Sequence, residues 1–205
     1  MTYQQKKEFV KILLIILFAS LVFFSLLRFW YLLLVSIILI LLLSYYYFKI
    51  DKIRETTLCL IVKNQHVLMM LRNKKKDDVH INKYNGLGGK VEKGESKYNC
   101  VLREVYEEAG IKLTKYNYVG QVVFKNFGYE VGKEVMYCFV GYDYENEIGD
   151  CNEGELSWIP KDKVMALPLW EGDQYFLMNI IMNKPFSAYL HYEEDKVIDY
   201  KIIYK

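Results

Sequence analysis

Residues 89–111 read GKVEKGESKYNCVLREVYEEAGI, and the fold of the chain is decided there. Residues 95–109 contain neither Gly nor Pro, and Gly110 follows where a helix would close on a left-handed residue. Within that span Tyr98, Val101, Leu102, Val105 and Ala109 recur at helical spacing and predict one apolar stripe facing a core. Glu104, Glu107 and Glu108 fall on an adjoining face, three carboxylates within reach of a common point. No Lys or Arg is expected on that face to neutralise them, so each like-charged pair costs a solvated helix about 0.2–0.5 kcal/mol. A divalent cation removes that cost. Hard oxygen ligands suit Mg²⁺ or Mn²⁺, ions that also bridge the oxygens of a polyphosphate. By spacing alone the same face also suits plain solvated surface.

The wider pattern separates the two readings. Gly89, Glu95, Arg103, Glu104, Val105, Glu107, Glu108, Gly110 and Ile111 match Gx5Ex7REUxEExGU at every specified position. On these residues the chain resembles the Nudix hydrolases. The resemblance implies an α/β fold, a Nudix α/β/α sandwich with a mixed β-sheet, in which this loop-helix-loop binds metal and diphosphate. It implies Glu104, Glu107 and Glu108 as ligands of Mg²⁺ (or Mn²⁺) and Arg103 as the residue orienting them. Gly89 would leave room for substrate at the loop, and Glu95 would support the helix start. A phosphoanhydride repels incoming hydroxide, so such chemistry needs cations and a general base. That base is either Glu107 or a glutamate of the later loop Asn152-Glu153-Gly154-Glu155.

Features outside the box narrow the substrate. Tyr84-Asn85-Gly86-Leu87-Gly88-Gly89-Lys90-Val91 is similar to the glycine loop of the MutT-like oxidised-purine nucleoside triphosphate diphosphatases. Leu169-Trp170-Glu171-Gly172-Asp173 is similar to their base-recognising segment, and residues 188–200 to their C-terminal hairpin. The resemblance implies that Asn85 and Asp173 hydrogen-bond the purine edge and that Trp170 stacks on or walls the base, with Gly88, Gly89 and Lys90 beside the substrate. An aromatic face binds any base, whereas paired polar groups choose one. Trp170 as plain core and Asp173 as the N-cap of a following helix is the competing reading. One departure stands out: mammalian relatives carry two adjacent acids here, and the first is replaced by Gly172. The expected reaction is Mg²⁺-dependent cleavage of a nucleoside triphosphate to monophosphate and pyrophosphate. Dinucleotide caps, nucleotide sugars and a non-catalytic nucleotide-sensing module are the alternatives.

Ahead of this domain the composition changes abruptly. Residues 1–55 contain no Gly or Pro, while all twelve glycines lie beyond them. Residues 9–48 hold only six residues outside the apolar class: Lys11, Ser20, Ser25, Arg28, Ser36 and Ser44. Forty helical residues would reach about 60 Å, twice the hydrocarbon thickness of a bilayer, so a transmembrane hairpin is expected, with spans at 9–27 and 30–48. A single-pass anchor is the alternative, since the connection carries no turn signal. Lys6, Lys7 and Lys11 at one end and Lys49, Lys52 and Arg54 at the other place both termini on the cytoplasmic side of the cell membrane. The lipid bilayer is thus an expected partner, with residues 1–55 as anchor and 56–205 as catalytic domain.

Residues 1–55 carry seven Lys or Arg against three Asp or Glu, a net of +4. The rest has 20 basic and 22 acidic residues, a net of −2, which does not suggest a nucleic-acid surface. Cys59, Cys100, Cys138 and Cys151 form no CxxC pair, so reduced thiols are expected rather than a zinc site or disulfide framework. Apolar runs at 57–62 and 67–71 predict a hairpin, further strands follow at 118–124, 135–142 and 156–159, and a second helix at 172–182. The chain closes in a hairpin over 188–203. Tyr192 and Tyr200 read as sheet packing, His66 as a turn residue and His191 as strand surface. His80, ahead of the glycine loop, is a candidate to approach substrate. Lys74, Lys75 and Lys76 read as a solvated loop that could steer polyphosphate.

Overall fold

The computed structural model describes residues 2–26, 30–50, 53–75, 78–127 and 132–204, except for the side chains of 24–26, 30, 32 and 48–50. The chain divides into two units, Met1–Ile53 and Arg54–Lys205.

The first unit holds helix α1 (Tyr3–Leu26) and helix α2 (Trp30–Ile50). The Lys7 ammonium lies 5.2 Å from the centre of the Tyr47 ring, which sets the start of α1 beside the end of α2 in an antiparallel pair. Phe9, Ile12, Ile15, Ile16 and Phe18 on α1, and Leu34, Val35, Leu41 and Leu42 on α2, are exposed. Among the described residues, no helix is long and apolar enough to cross a membrane. The expected spans gain no support from that count. Lys6, Lys7, Glu8 and Lys11 crowd the first turns of α1, and the connection at 27–29 lies outside the described residues.

In the second unit, β1 (Ile53–Lys63) turns at Asn64 and Gln65, both at positive φ, into β2 (His66–Arg72), giving the expected hairpin. The order continues as β3 (Tyr84–Asn85), α3 (Lys97–Ala109), β4 (Lys112–Lys125), β5 (Lys133–Glu145), β6 (Gly154–Pro160), α4 (Asp173–Ile181), β7 (Phe186–Glu193) and β8 (Lys196–Tyr204). The strands form one sheet in the order β3-β2-β1-β5-β4-β7-β8, with β6 also on β2. β4 and β7 run parallel while β4/β5, β7/β8 and β2/β6 run antiparallel, so the sheet is mixed as expected. β4 and β5 outrun their apolar cores because backbone pairing continues past them, through register shifts at Leu113/Lys115 and Tyr118/Gly120.

β1 is buried on both faces, which is why it reads as an uninterrupted apolar run. Leu58, Leu60 and Val62 join one core with Phe176, Leu177 and Ile180 of α4. Cys59 and Ile61 join the other with Val101, Val105 and Ala109 of α3. The sheet thus lies between two helical layers, the α/β/α sandwich. All four cysteines are buried free thiols.

Candidate active site

α3 starts where the Ser96 hydroxyl accepts the Asn99 N–H (3.1 Å) and ends at Gly110, φ 71°, whose N–H reaches the Tyr106 carbonyl. Val101, Val105 and Ala109 bury the predicted stripe, although Tyr98 at its first turn stays exposed. The glycine loop is pinned along β1: Thr57 N–H donates to Gly89 O (2.8 Å), and Cys59 and Leu87 exchange backbone bonds of 2.6 and 3.0 Å. The loop therefore faces the acidic side of α3.

Arg103 organises that side. Its Nε and Nη2 both donate to Glu95 (2.9 Å each), and its Nη1 to Glu104 (2.8 Å) and Glu107 (3.2 Å). Nη2 also donates to the Lys90 carbonyl (3.1 Å). The expectation that no cation neutralises this face is corrected: Arg103 is i,i+4 to Glu107 and beside Glu104, and its guanidinium folds back over both. The Arg103 hydrogen bonds hold the Glu95 carboxyl at about 2. Glu95 also accepts the Glu92 N–H, closing the turn ahead of α3.

Glu108 turns the other way. It is 6% exposed and accepts the Gly88 N–H at 2.8 Å, while burial pushes its pKa up to about 8. Burial also raises Glu104, with the charges of Glu107 and Glu153 adding to the effect. Among the described residues, no group of three or more His, Cys, Asp or Glu is gathered closely enough to hold an ion. The helical spacing of Glu104, Glu107 and Glu108 is real, but Arg103 draws the first two apart from the third. The residues nonetheless fit a divalent cation. Their donors are hard carboxylate oxygens, two of them raised by burial, and a cation relieves both that burial and their repulsion. Gly89 makes the room: a Cβ there would lie 2.5 Å from the Glu104 carboxylate.

Sequence reasoning missed Arg72 and Asp78. Arg72, at the end of β2, donates to Asp78 (2.6 Å) and Glu153 (2.5 Å), and lies 3.9 Å from Glu108. Burial disfavours its charge, but these carboxylates reverse the effect and raise its pKa. Its partners lie 6, 36 and 81 residues away, so no local pattern could have marked it. Glu153 also pairs with Lys75; burial pushes its carboxyl up, and the two cations hold it below its ordinary value. Glu155 is exposed and bonded to Asn73 Nδ2 (2.8 Å). Of the two loop candidates for a base, Glu153 is the one beside the cluster.

From the box, a cleft of about 850 Å³ runs past Gly88, Gly89 and Lys90 to Asn85, Trp170 and Asp173. The six predicted substrate residues share this single cavity. Asn85 Oδ1 accepts the Gly86 N–H (3.1 Å), leaving its amide hydrogens for the cleft. Asp173 is not the helix cap: that position is Gly172, and Asp173 Oδ2 instead accepts the Trp170 backbone N–H (2.9 Å). Burial lifts its carboxyl to about 7. Trp170 is half-buried against Phe127 (5.0 Å between rings) and walls the cleft rather than filling the core. Tyr192, read as sheet packing, also lines it, and so does His80. His66 stays in its turn, bonded to Asn64 O.

The NUDIX domain description matches residues 52–180. The chain belongs to the Nudix family. Within that family it is 28% identical over 147 residues to an oxidized purine nucleoside triphosphate hydrolase of Danio rerio, covering 71% of this chain and 92% of the relative. It is 26% identical over 149 residues to the Mus musculus protein of the same name, with the same coverage. Among solved structures it is similar to the MutT protein from Bacillus halodurans, with a TM-score of 0.64, 25% identity, and coverage of 73% of this chain and 97% of that one. This Nudix chain is a hydrolase, and residues 89–111 are its Nudix box.

Proposed function

We propose that this Nudix hydrolase cleaves purine nucleoside triphosphates, oxidised purines foremost, to the monophosphate and pyrophosphate. The observation that carries the proposal is the shared cleft, with Gly88 and Gly89 at one end and Trp170, Asp173 and Asn85 at the other. That arrangement fits a nucleotide whose phosphates lie on the loop and whose base lies on the tryptophan. The names of the Danio rerio and Mus musculus relatives support the same substrate class.

Glu104, Glu107 and Glu108 would hold Mg²⁺ (or Mn²⁺), with Glu153 facing them from its loop. The ion supplies charge neutralisation of the phosphates and a more acidic water. The protein's own contributions are distinct. Gly88 and Gly89 let the anion approach the backbone, and Arg103 orients Glu104 and Glu107 from the Glu95 anchor. Arg72 fixes Glu153 against Glu108. Glu107, more exposed than Glu95, Glu104 and Glu108, and Glu153 are the two candidate groups for taking a proton from water.

Residues 1–55 form the anchor in this proposal and hold the catalytic unit on the cytoplasmic face of the cell membrane. Its support is the run of exposed apolar side chains on α1 and α2, together with the lysines that flank both ends of this stretch in the sequence. The test of activity is pyrophosphate release by the purified chain from oxidised and ordinary purine triphosphates, pyrimidine triphosphates, dinucleotide caps and nucleotide sugars. Mg²⁺-dependent release with the highest kcat/KM on an oxidised purine is expected. Preference for a pyrimidine or a sugar nucleotide overturns the substrate. Alkaline carbonate extraction of cell membranes tests the anchor, which is overturned if the intact chain leaves with the wash.

A further inference from the structure

The base end of the cleft is built differently from a pair of neighbouring acids. At Gly172 a Cβ would collide with the Tyr192 hydroxyl, so no side chain fits there while that tyrosine stands. The hydroxyl itself accepts the Gly172 N–H at 2.9 Å. One acid, Asp173, remains, with Oδ2 already engaged by Trp170 N–H. Its other oxygen is available as an acceptor. A site reading a base also needs a donor, and His80 meets that need.

The imidazole packs against two aromatic walls, 5.9 Å from the Trp170 ring and 6.2 Å from that of Phe127. Indole N–H is only a donor, so the 2.9 Å bond from Trp170 Nε1 makes His80 Nδ1 the acceptor. In a neutral imidazole the hydrogen is then on Nε2, on the opposite edge of the ring. Burial lowers the His80 pKa and keeps the ring neutral. Two residues earlier, Asp78 accepts the His80 backbone N–H (3.0 Å) and is itself tied to Arg72, which fixes the loop bearing the ring.

We propose that His80 is a specificity-determining residue, whose Nε2–H donates to an acceptor on the substrate base while Asp173 accepts from it. This deepens the purine-nucleotide reading and rests on it. The preferred base then carries a carbonyl oxygen where adenine carries an amino group, since an amino group facing Nε2–H would set donor against donor.

Equilibrium binding of guanosine, inosine and adenosine monophosphates to the full chain tests this without turnover. His80→Asn is the informative variant, because its Oδ1 can still accept the Trp170 N–H while the Nε2 donor is gone. Wild type is expected to bind the two keto nucleotides about 10-fold or more tighter than adenosine monophosphate. His80→Asn should lose about 5–30-fold on the keto nucleotides and less than about twofold on adenosine monophosphate. The control His66→Asn, in the β1–β2 turn, should change neither. Equal weakening on all three bases, or none, overturns the assignment, as does a preference for adenine in wild type. An unchanged melting temperature with equal weakening identifies His80 as wall alone. If wild type shows a His80-dependent base preference but releases no pyrophosphate from any triphosphate, the hydrolytic reading falls and this one stands. Turnover without His80-dependent discrimination does the reverse.

Discussion

Glu108→Gln isolates the cost of a buried carboxylate at the centre of the site. The side chain is 6% exposed with one backbone donor, Gly88 N–H, and its pKa is pushed from 4.5 to about 8. Between these two values the folded chain holds a proton that the unfolded chain has released, so stability falls as pH rises through that window. From pH 5 to pH 9 the loss from this group is about 4 kcal/mol, or about 8–16 °C in melting temperature for a unit of this size. Glutamine keeps the acceptor for Gly88 N–H and cannot ionise. With divalent ions chelated, the variant should melt with wild type at pH 5 and well above it at pH 9. Adding Mg²⁺ at pH 9 should raise wild type and leave the variant nearly still. Melting curves of the two proteins taken at five pH values decide the matter, and parallel curves across the range show that Glu108 does not hold a proton in the folded chain.

Four further outcomes follow from the same geometry. Gly89→Ala drives a methyl into the Glu104 carboxylate and should lower kcat/KM about 100-fold while circular dichroism stays unchanged. Glu153→Gln should cost about 100-fold in kcat, and Glu155→Gln less than about twofold, because only the first carboxylate reaches the cluster through Arg72. The Glu95 carboxyl, held at about 2 by Arg103, contributes stability that is present above pH 4.5 and lost as pH falls toward 2. Glu95→Gln should therefore flatten that part of an acid-unfolding curve. Asp173→Asn should raise KM for a purine triphosphate about 10-fold more than for a pyrimidine one, measured by steady-state pyrophosphate release.

The box was fully legible because its positions repeat at helical spacing within 23 residues. The same locality made the β1–β2 hairpin and the two helical layers readable, since β1 and α3 each announce their buried faces in their own sequence. The charge balance of the site was not legible. Helix periodicity treats Arg103 as a neighbour on another face, whereas a long flexible guanidinium reaches back over Glu104, Glu107 and Glu95 at once. Arg72 sits at the end of an apolar strand, and what it does depends on Asp78, Glu108 and Glu153 arriving from three other segments. Tyr192 fits an alternating strand pattern perfectly well, and only the fold places its hydroxyl against Gly172. Residues 84–85 escaped notice as a strand because two residues carry no period.

The central strand β1 belongs to both hydrophobic layers and also carries the catalytic loop along its backbone. Because both layers pack on this one strand, loosening either strips cover from the other and slackens the hydrogen bonds under Gly89. Loss of activity on heating should consequently coincide with the melt of the whole second unit, in one step, with no warm state in which structure persists and turnover has gone.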